Sequence, residues 1–169
     1  MDKNIVAKFD KISFKQFEKD WIDTYESDVN IIDIYNHIKE PKRATIESAG
    51  YDIFAPMDIV LEPNQSFKIL TGIRCKISNN WFMGIFPRSG QGFKYGLRIA
   101  NTVGIIDSDY YFSDNEGHIL IKLINDSSIN RQINICKGEA FAQAIFIPYG
   151  ITVNDNVERI RNGGFGSTD

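Results

Sequence analysis

At 169 residues, with 43% hydrophobic and 24% charged residues, the chain has the composition of one globular domain and not of a disordered or fibrous protein. A formal net charge of −3 and a pI near 5.4 exclude a general nucleic-acid binder, which presents a basic face, so an anionic ligand has to be held by a local cluster. No apolar run nears the roughly 20 residues of a membrane helix, and the start Met1-Asp2-Lys3-Asn4-Ile5-Val6 lacks the apolar block of a signal peptide, so a cytoplasmic, intracellular protein without membrane contact is expected.

The first 49 residues contain no glycine, whereas all 13 glycines lie from Gly50 onward, which marks a change of architecture. Lys3 to Asp10 alternates enough to be a strand. From Ser13 the period changes: Phe14, Phe17, Trp21 and Tyr25 recur at steps of three and four, and Ser13 with Gln16 forms a capping box, predicting an amphipathic helix. A second helix is predicted from Asp28 to Lys39, with Ile31, Tyr35 and Ile38 on one face and Pro41 beyond its end. Both faces are expected to pack against a sheet domain.

From Gly50 the helical period disappears. Met57 to Leu61, the alternating set Phe67, Ile69, Ile73, Cys75 and Ile77, the apolar run Trp81 to Phe86, Leu97 to Val103, His118 to Asn125, Ile133 with Ile135, and Phe141 to Tyr149 read as successive strands. Glu62-Pro63-Asn64-Gln65, Ser78-Asn79-Asn80, Asp126-Ser127-Ser128 and Lys137-Gly138-Glu139 are the turns between them. Many short strands at close intervals predict an all-β sandwich or barrel. Cys75 and Cys136 sit among alternating apolar residues and are expected to be buried free thiols. With only His37 and His118, a histidine-based zinc site or catalytic triad has little support, and His118 is read as a strand-edge residue.

Five short stretches carry chemistry beyond folding. Ala49-Gly50-Tyr51-Asp52-Ile53 places a carboxylate after a glycine at a strand edge; judged alone, a capped turn is the plainer reading. Pro87-Arg88-Ser89-Gly90-Gln91-Gly92 ends an apolar strand with a guanidinium, a hydroxyl and two glycines whose amides can face an anion. In Asn101 to Tyr111, Gly104 leaves backbone groups open to a flat polar ring, Asp107 can take a proton from water, and Tyr110 offers a face to a sugar, although a hairpin with Asp-Ser-Asp as its turn is the plainer reading. Gly138 to Gln143 opens a strand with an amide among small neighbours. Last, Arg159 and Arg161 precede Gly163-Gly164-Phe165-Gly166-Ser167-Thr168, where backbone amides and hydroxyls can wrap an anion while Phe165 covers a ring. The tail is not a P-loop, having no Gly-Lys-Ser/Thr, and Asp107-x-Asp109 is not an EF-hand, having Phe112 and His118 at the glycine and glutamate positions.

Taken in order and at these separations, the five stretches resemble the motifs of the trimeric dUTP pyrophosphatases (dUTPases) over about Ala49 to Thr168. The resemblance implies a single dUTPase-like domain over 1–169, mainly β, a jelly-roll barrel with a helical insert at 13–39 and a closing segment at 154–169. It implies a homotrimer hydrolysing dUTP to dUMP and pyrophosphate with Mg²⁺, each site drawing on all three chains, and no direct contact with nucleic acid. In that scheme Asp107 is the general base, while Asn101, Gly104, Ile105, Ile106 and Tyr110 hold the uracil and deoxyribose, with Phe165 over the base. Arg88, Ser89, Gly90, Gln143, the tail's Gly166, Ser167 and Thr168, and one of Arg159 or Arg161 bind phosphate; Asp52 reaches the metal through water.

The chain departs from the family pattern at four places. Ala140 stands where the family carries an arginine, Ile160 stands where the tail arginine belongs, the hairpin after Tyr110 is longer, and the helical insert is additional. The insert is expected to decorate the trimer or to bind a protein partner. Two alternatives remain at this point: a dCTP deaminase of the same fold, and a regulator that uses the scaffold without catalysis.

Overall fold

The computed structural model describes residues 4–25 and 29–158. Its strands are β1 (Ala7–Lys11), β2 (Lys42–Arg43), β3 (Tyr51–Phe54), β4 (Ile59–Leu61), β5 (Ser66–Leu70), β6 (Ile73–Ile77), β7 (Trp81–Pro87), β8 (Leu97–Ile99), β9 (Gly104–Ile106), β10 (Leu120–Asn125), β11 (Ile133–Ile135) and β12 (Ala140–Pro148). They form four sheets, in the orders β1-β6, β5-β10-β8, β11-β4 and β2-β3-β12-β7-β9, with every pairing antiparallel, so the barrel expected from the sequence is assembled from separate sheets and not from one closed one. The period-2 pattern explains the packing: along β10, Ile121, Leu123 and Asn125 are buried while Lys122 faces out. Asn125 is tolerated in the core because its Nδ2 donates to the carbonyls of Leu61 and Arg131 at 2.9 and 2.8 Å, tying β10 to the neighbourhood of the β11-β4 sheet.

In β12 the register slips between Ala140 and Ala142, leaving Phe141 as an extra residue that fills the core at 0% exposure. This bulge sets Gln143 opposite Asp52 on one side and Phe86 on the other.

The predicted helices are present but differ in extent. The first, α1, is Phe14–Thr24 and buries Phe17 and Trp21; the second, α2, is only Ile31–Asn36, because Asn30 caps its start and the backbone leaves helical geometry at His37. Ile38 is buried beyond the helix, not on it. The expected capping box is half made. Ser13 Oγ accepts from the Gln16 amide at 3.2 Å, but the Ser13 amide is taken by Glu116, 103 residues away, at 2.8 Å. The helix α1 and the segment that follows α2 press on the β5–β6 turn: a Cβ on Gly72 would collide with Ile38 and touch Phe17, and the residue adopts φ +70, so glycine is required there.

Two short helical pieces break the all-β reading after Gly50. The helix α3 spans Ser89–Tyr95 and ends on Gly96 in the left-handed conformation, and a 3-10 turn spans Ser108–Phe112. Among the described residues no helix is long and apolar enough to cross a membrane.

Candidate active site

The strand β9 is the last strand of the five-stranded sheet, so one of its backbone edges is unused by that sheet and is open to a ligand. Gly104 is closely packed: a Cβ would lie 3.2 Å from that of Ile85, its partner on β7. The turn that feeds β9 is tight, with Thr102 at φ 65 and the Val103 amide donating to Asn101 O at 2.6 Å. These elements enclose a cavity of about 430 Å³ that is lined by Asn101, Gly104, Ile105, Ile106 and Tyr110, all five of the described residues expected to hold a nucleoside. The walls are largely aliphatic, from Ile85, Val103 and Ile121, which suits a flat ring with a polar rim.

Tyr110 is 4% exposed and is held from two directions. Its hydroxyl donates to the His118 carbonyl at 2.8 Å and accepts from Asn115 Nδ2 at 2.9 Å. Asp107 follows Ile106 directly and precedes the 3-10 turn with an extended backbone, which sets its carboxylate at the end of the cavity-lining strand.

A second cleft, of about 470 Å³, gathers Gly50, Asp52, Arg88, Ser89, Gly90 and Gln143. Arg88 Nε lies 3.2 Å from Asp52 Oδ1, and Arg88 Nη1 donates to the Ala140 carbonyl at 3.2 Å. Gln143 Nε2 donates to Pro87 O at 3.1 Å, and Gln143 Oε1 lies so close to Gly50 that a Cβ there would come within 2.6 Å of it. Ser89 and Gly90, expected to turn backbone amides toward an anion, occupy the first turn of α3, where amides have no acceptor within the helix. Ala140 is buried, and its carbonyl receives both Arg88 and Gln91, so the backbone at this position supports the guanidinium where the family has an arginine side chain.

The sequence reading missed Lys94, which lines the same cleft from the last turn of α3. Gly96 in its capping position, with Lys94 two residues earlier, was the available signal for that helix. Two expectations fail. Cys136 is exposed, because it lies at the turn after β11, whereas Cys75 is buried as expected and its thiol is pushed up to about 12 by burial. His118 is no strand-edge residue: it is 0% exposed, with Nδ1 2.5 Å from Asp20 Oδ2 and Nε2 accepting from the Gly72 amide at 2.9 Å. Arg159, Arg161, Phe165, Gly166, Ser167 and Thr168 lie outside the described residues.

Among the described residues there is no group of three or more His, Cys, Asp or Glu able to hold a metal ion. Asp52 alone, already shared with Arg88, suits a Mg²⁺ that keeps its waters and is carried mainly on substrate phosphates, and does not suit a cation caged by protein.

An aliphatic slot for a ring beside an open strand edge, and apart from it a cleft with a guanidinium, a hydroxyl and a carboxamide, define a nucleotide-binding β protein. The dUTPase family model matches residues 36–169. The chain belongs to the dUTPase family. It is 39% identical over 134 residues to the deoxyuridine 5'-triphosphate nucleotidohydrolase of Lactococcus lactis subsp. lactis, covering 78% of this chain and 88% of that protein. Its fold is similar to that of the Streptococcus mutans dUTPase (TM-score 0.63, 26% identity, 85% of this chain and 97% of that one). It is also similar to that of a mutant dUTPase from S. aureus phage phi11, which coordinates a structural Mg(II) ion (TM-score 0.59, 25% identity, 73% and 92%).

Proposed function

We propose that dUTP hydrolysis by this chain is completed where the subunits of a homotrimer meet. The observation that carries this reading is that the nucleoside cavity and the phosphate cleft share no lining residue within one chain. A nucleotide that fills both can draw them from different copies, as closed cyclic assemblies allow.

In this reading the uracil edge is read by backbone groups of Gly104 to Ile106 with Asn101, and the narrow slot rejects a 5-methyl group. Tyr110 packs on the deoxyribose and leaves no room for a 2′-hydroxyl. Asp107 takes a proton from the water that attacks the α-phosphorus; the bond from that phosphorus to the bridging oxygen breaks, and pyrophosphate leaves with its electron pair. Arg88, Ser89, Gly90 and Gln143 of a second chain hold the phosphates as charge builds on the leaving group. The segment 154–169 of a third closes over the site, with Phe165 on the base and Arg159 or Arg161, Gly166, Ser167 and Thr168 on the phosphates. Mg²⁺ would supply further neutralisation of the leaving group, and Asp52 would help hold it through water. An intracellular setting fits the two free thiols.

The regulator alternative has no observation of its own, since the apolar face of α1, Phe17 and Trp21, is used inside the chain. Pyrophosphate release from dUTP, dTTP, dCTP and UTP, measured in parallel with magnesium and with EDTA, tests the reading. Magnesium-dependent release from dUTP alone is expected; ammonia from dCTP would overturn it in favour of a deaminase.

A further inference from the structure

We propose that α1, which precedes the family region, tunes sugar selection through a buried relay in which Asp20 and His118 act as positioning residues for Tyr110. The proposal rests on the reading of Tyr110 as the sugar-facing residue. The family match begins at residue 36, so Asp20 lies outside it, whereas Tyr110 and His118 lie inside. A segment outside the family match is thus joined by hydrogen bonds to the wall of the nucleoside cavity.

The relay runs through both nitrogens of one imidazole. The Gly72 amide has only a proton to give, so His118 Nε2, 2.9 Å away, must be the bare nitrogen. Nδ1 therefore carries the proton and donates it to Asp20 Oδ2 at 2.5 Å. The other oxygen of Asp20 accepts from Gln16 Nε2 at 2.8 Å, which fixes the carboxylate on the face of α1. With its ring held at both ends and no exposure, His118 has one orientation, and so does its backbone carbonyl. That carbonyl accepts from Tyr110 Oη at 2.8 Å and from Asn115 Nδ2 at 3.3 Å. Attaching a helix to a sheet needs only apolar contact, which Phe17 and Trp21 supply. A carboxylate–imidazole pair with its imidazole fully buried and its carboxylate largely so is costly unless satisfied, and here each partner is satisfied in the one geometry that also fixes the Tyr110 hydroxyl. Neither residue lines the nucleoside cavity, so their effect on chemistry is exerted through Tyr110.

The test compares dUTP with UTP in kcat/KM, and dUMP with UMP in equilibrium binding, for the wild type, Asp20→Ala, Asp20→Asn, Tyr110→Phe and Asp20→Ala/Tyr110→Phe. Asp20→Ala is expected to lower the deoxyribose preference roughly fivefold to tenfold, chiefly through KM, as loss of one buried hydrogen bond implies. Asp20→Asn keeps an acceptor for Nδ1 and should stay near the wild type. Tyr110→Phe cuts the relay at its far end, so Asp20→Ala should add nothing in that background. Should Asp20→Ala fail to fold, Asp20→Ser serves in its place with the same expectation. A folded Asp20→Ala with unchanged preference, or additive losses in the double variant, would overturn the relay alone. Wild-type protein that binds dUMP and UMP alike would overturn the sugar reading of Tyr110 and the relay with it.

Discussion

Arg88, just past the end of β7, and Asp52, in β3, hold each other across the second cleft with Nε 3.2 Å from Oδ1. The cation proposed to bind a phosphate is thus oriented by the chain itself, and the Ala140 carbonyl fixes its Nη1 side. Preorganisation of this kind lowers the ordering cost of binding an anion.

Asp52→Asn should therefore weaken catalysis by freeing the guanidinium as well as by altering the path to magnesium. A fall of roughly tenfold in kcat/KM for dUTP is expected, from loss of one charge-assisted contact. Steady-state rates across a magnesium titration check it: a loss that persists at saturating magnesium assigns the effect to Arg88.

Asp107→Asn removes the base without changing shape, so turnover should drop by about 10²–10⁴ while nucleotide binding is retained. Single-turnover rates beside calorimetric binding of a non-hydrolysable dUTP analogue separate the two. Near-normal kcat would rule out the assignment of the base.

The amino-terminal segment should come loose in acid. Burial pushes the Glu116 carboxyl up, but its hydrogen bonds from the Ser13 hydroxyl (2.6 Å) and amide (2.8 Å) outweigh that and hold it below its ordinary value. A group lowered on folding contributes stability above its unfolded value and loses it as pH falls through its folded value. Glu116→Gln should cost about 1 kcal/mol at pH 7 and progressively less as pH falls through the carboxylate range. Urea unfolding of both proteins at several pH values measures this; a pH-independent difference would mean that the carboxylate charge plays no part.

The two thiols should react very differently. Cys75 is buried and its thiol is raised to about 12, so almost no thiolate is present at neutral pH, whereas Cys136 is exposed. Native protein treated with iodoacetamide should take one label, at Cys136, and a second only in denaturant, as read by mass spectrometry.

The strand pattern and the grouping of Asn101, Gly104, Ile105, Ile106 and Tyr110 around one cavity were legible because each rests on a short local signal. The alternation Phe67, Ile69, Ile73, Cys75, Ile77 and the string Gly104-Ile105-Ile106-Asp107 need no knowledge of distant residues. What was not legible depends on partners far apart in the chain. Nothing near His118 announces that Asp20, 98 residues earlier, will bury it, and nothing near Ser13 announces Glu116. The unusual length of the hairpin after Tyr110 and the additional helix were noticed as separate departures, yet they are two sides of one contact. The exposure of Cys136 was missed for the same reason: period-2 alternation fixes a strand's faces, but not where the strand stops.

The shared site is tested most directly by mixing two disabled chains. Asp107→Asn lacks the base beside the nucleoside cavity, and Arg88→Ala lacks the cation of the phosphate cleft. Each should be nearly inactive alone, and in randomly mixed trimers about a quarter of the sites should pair an intact cavity with an intact cleft, so activity should return to a comparable fraction of wild type. No recovery in trimers shown by native mass spectrometry to contain both chains would mean that cavity and cleft act within one subunit, and that the site is not built between copies.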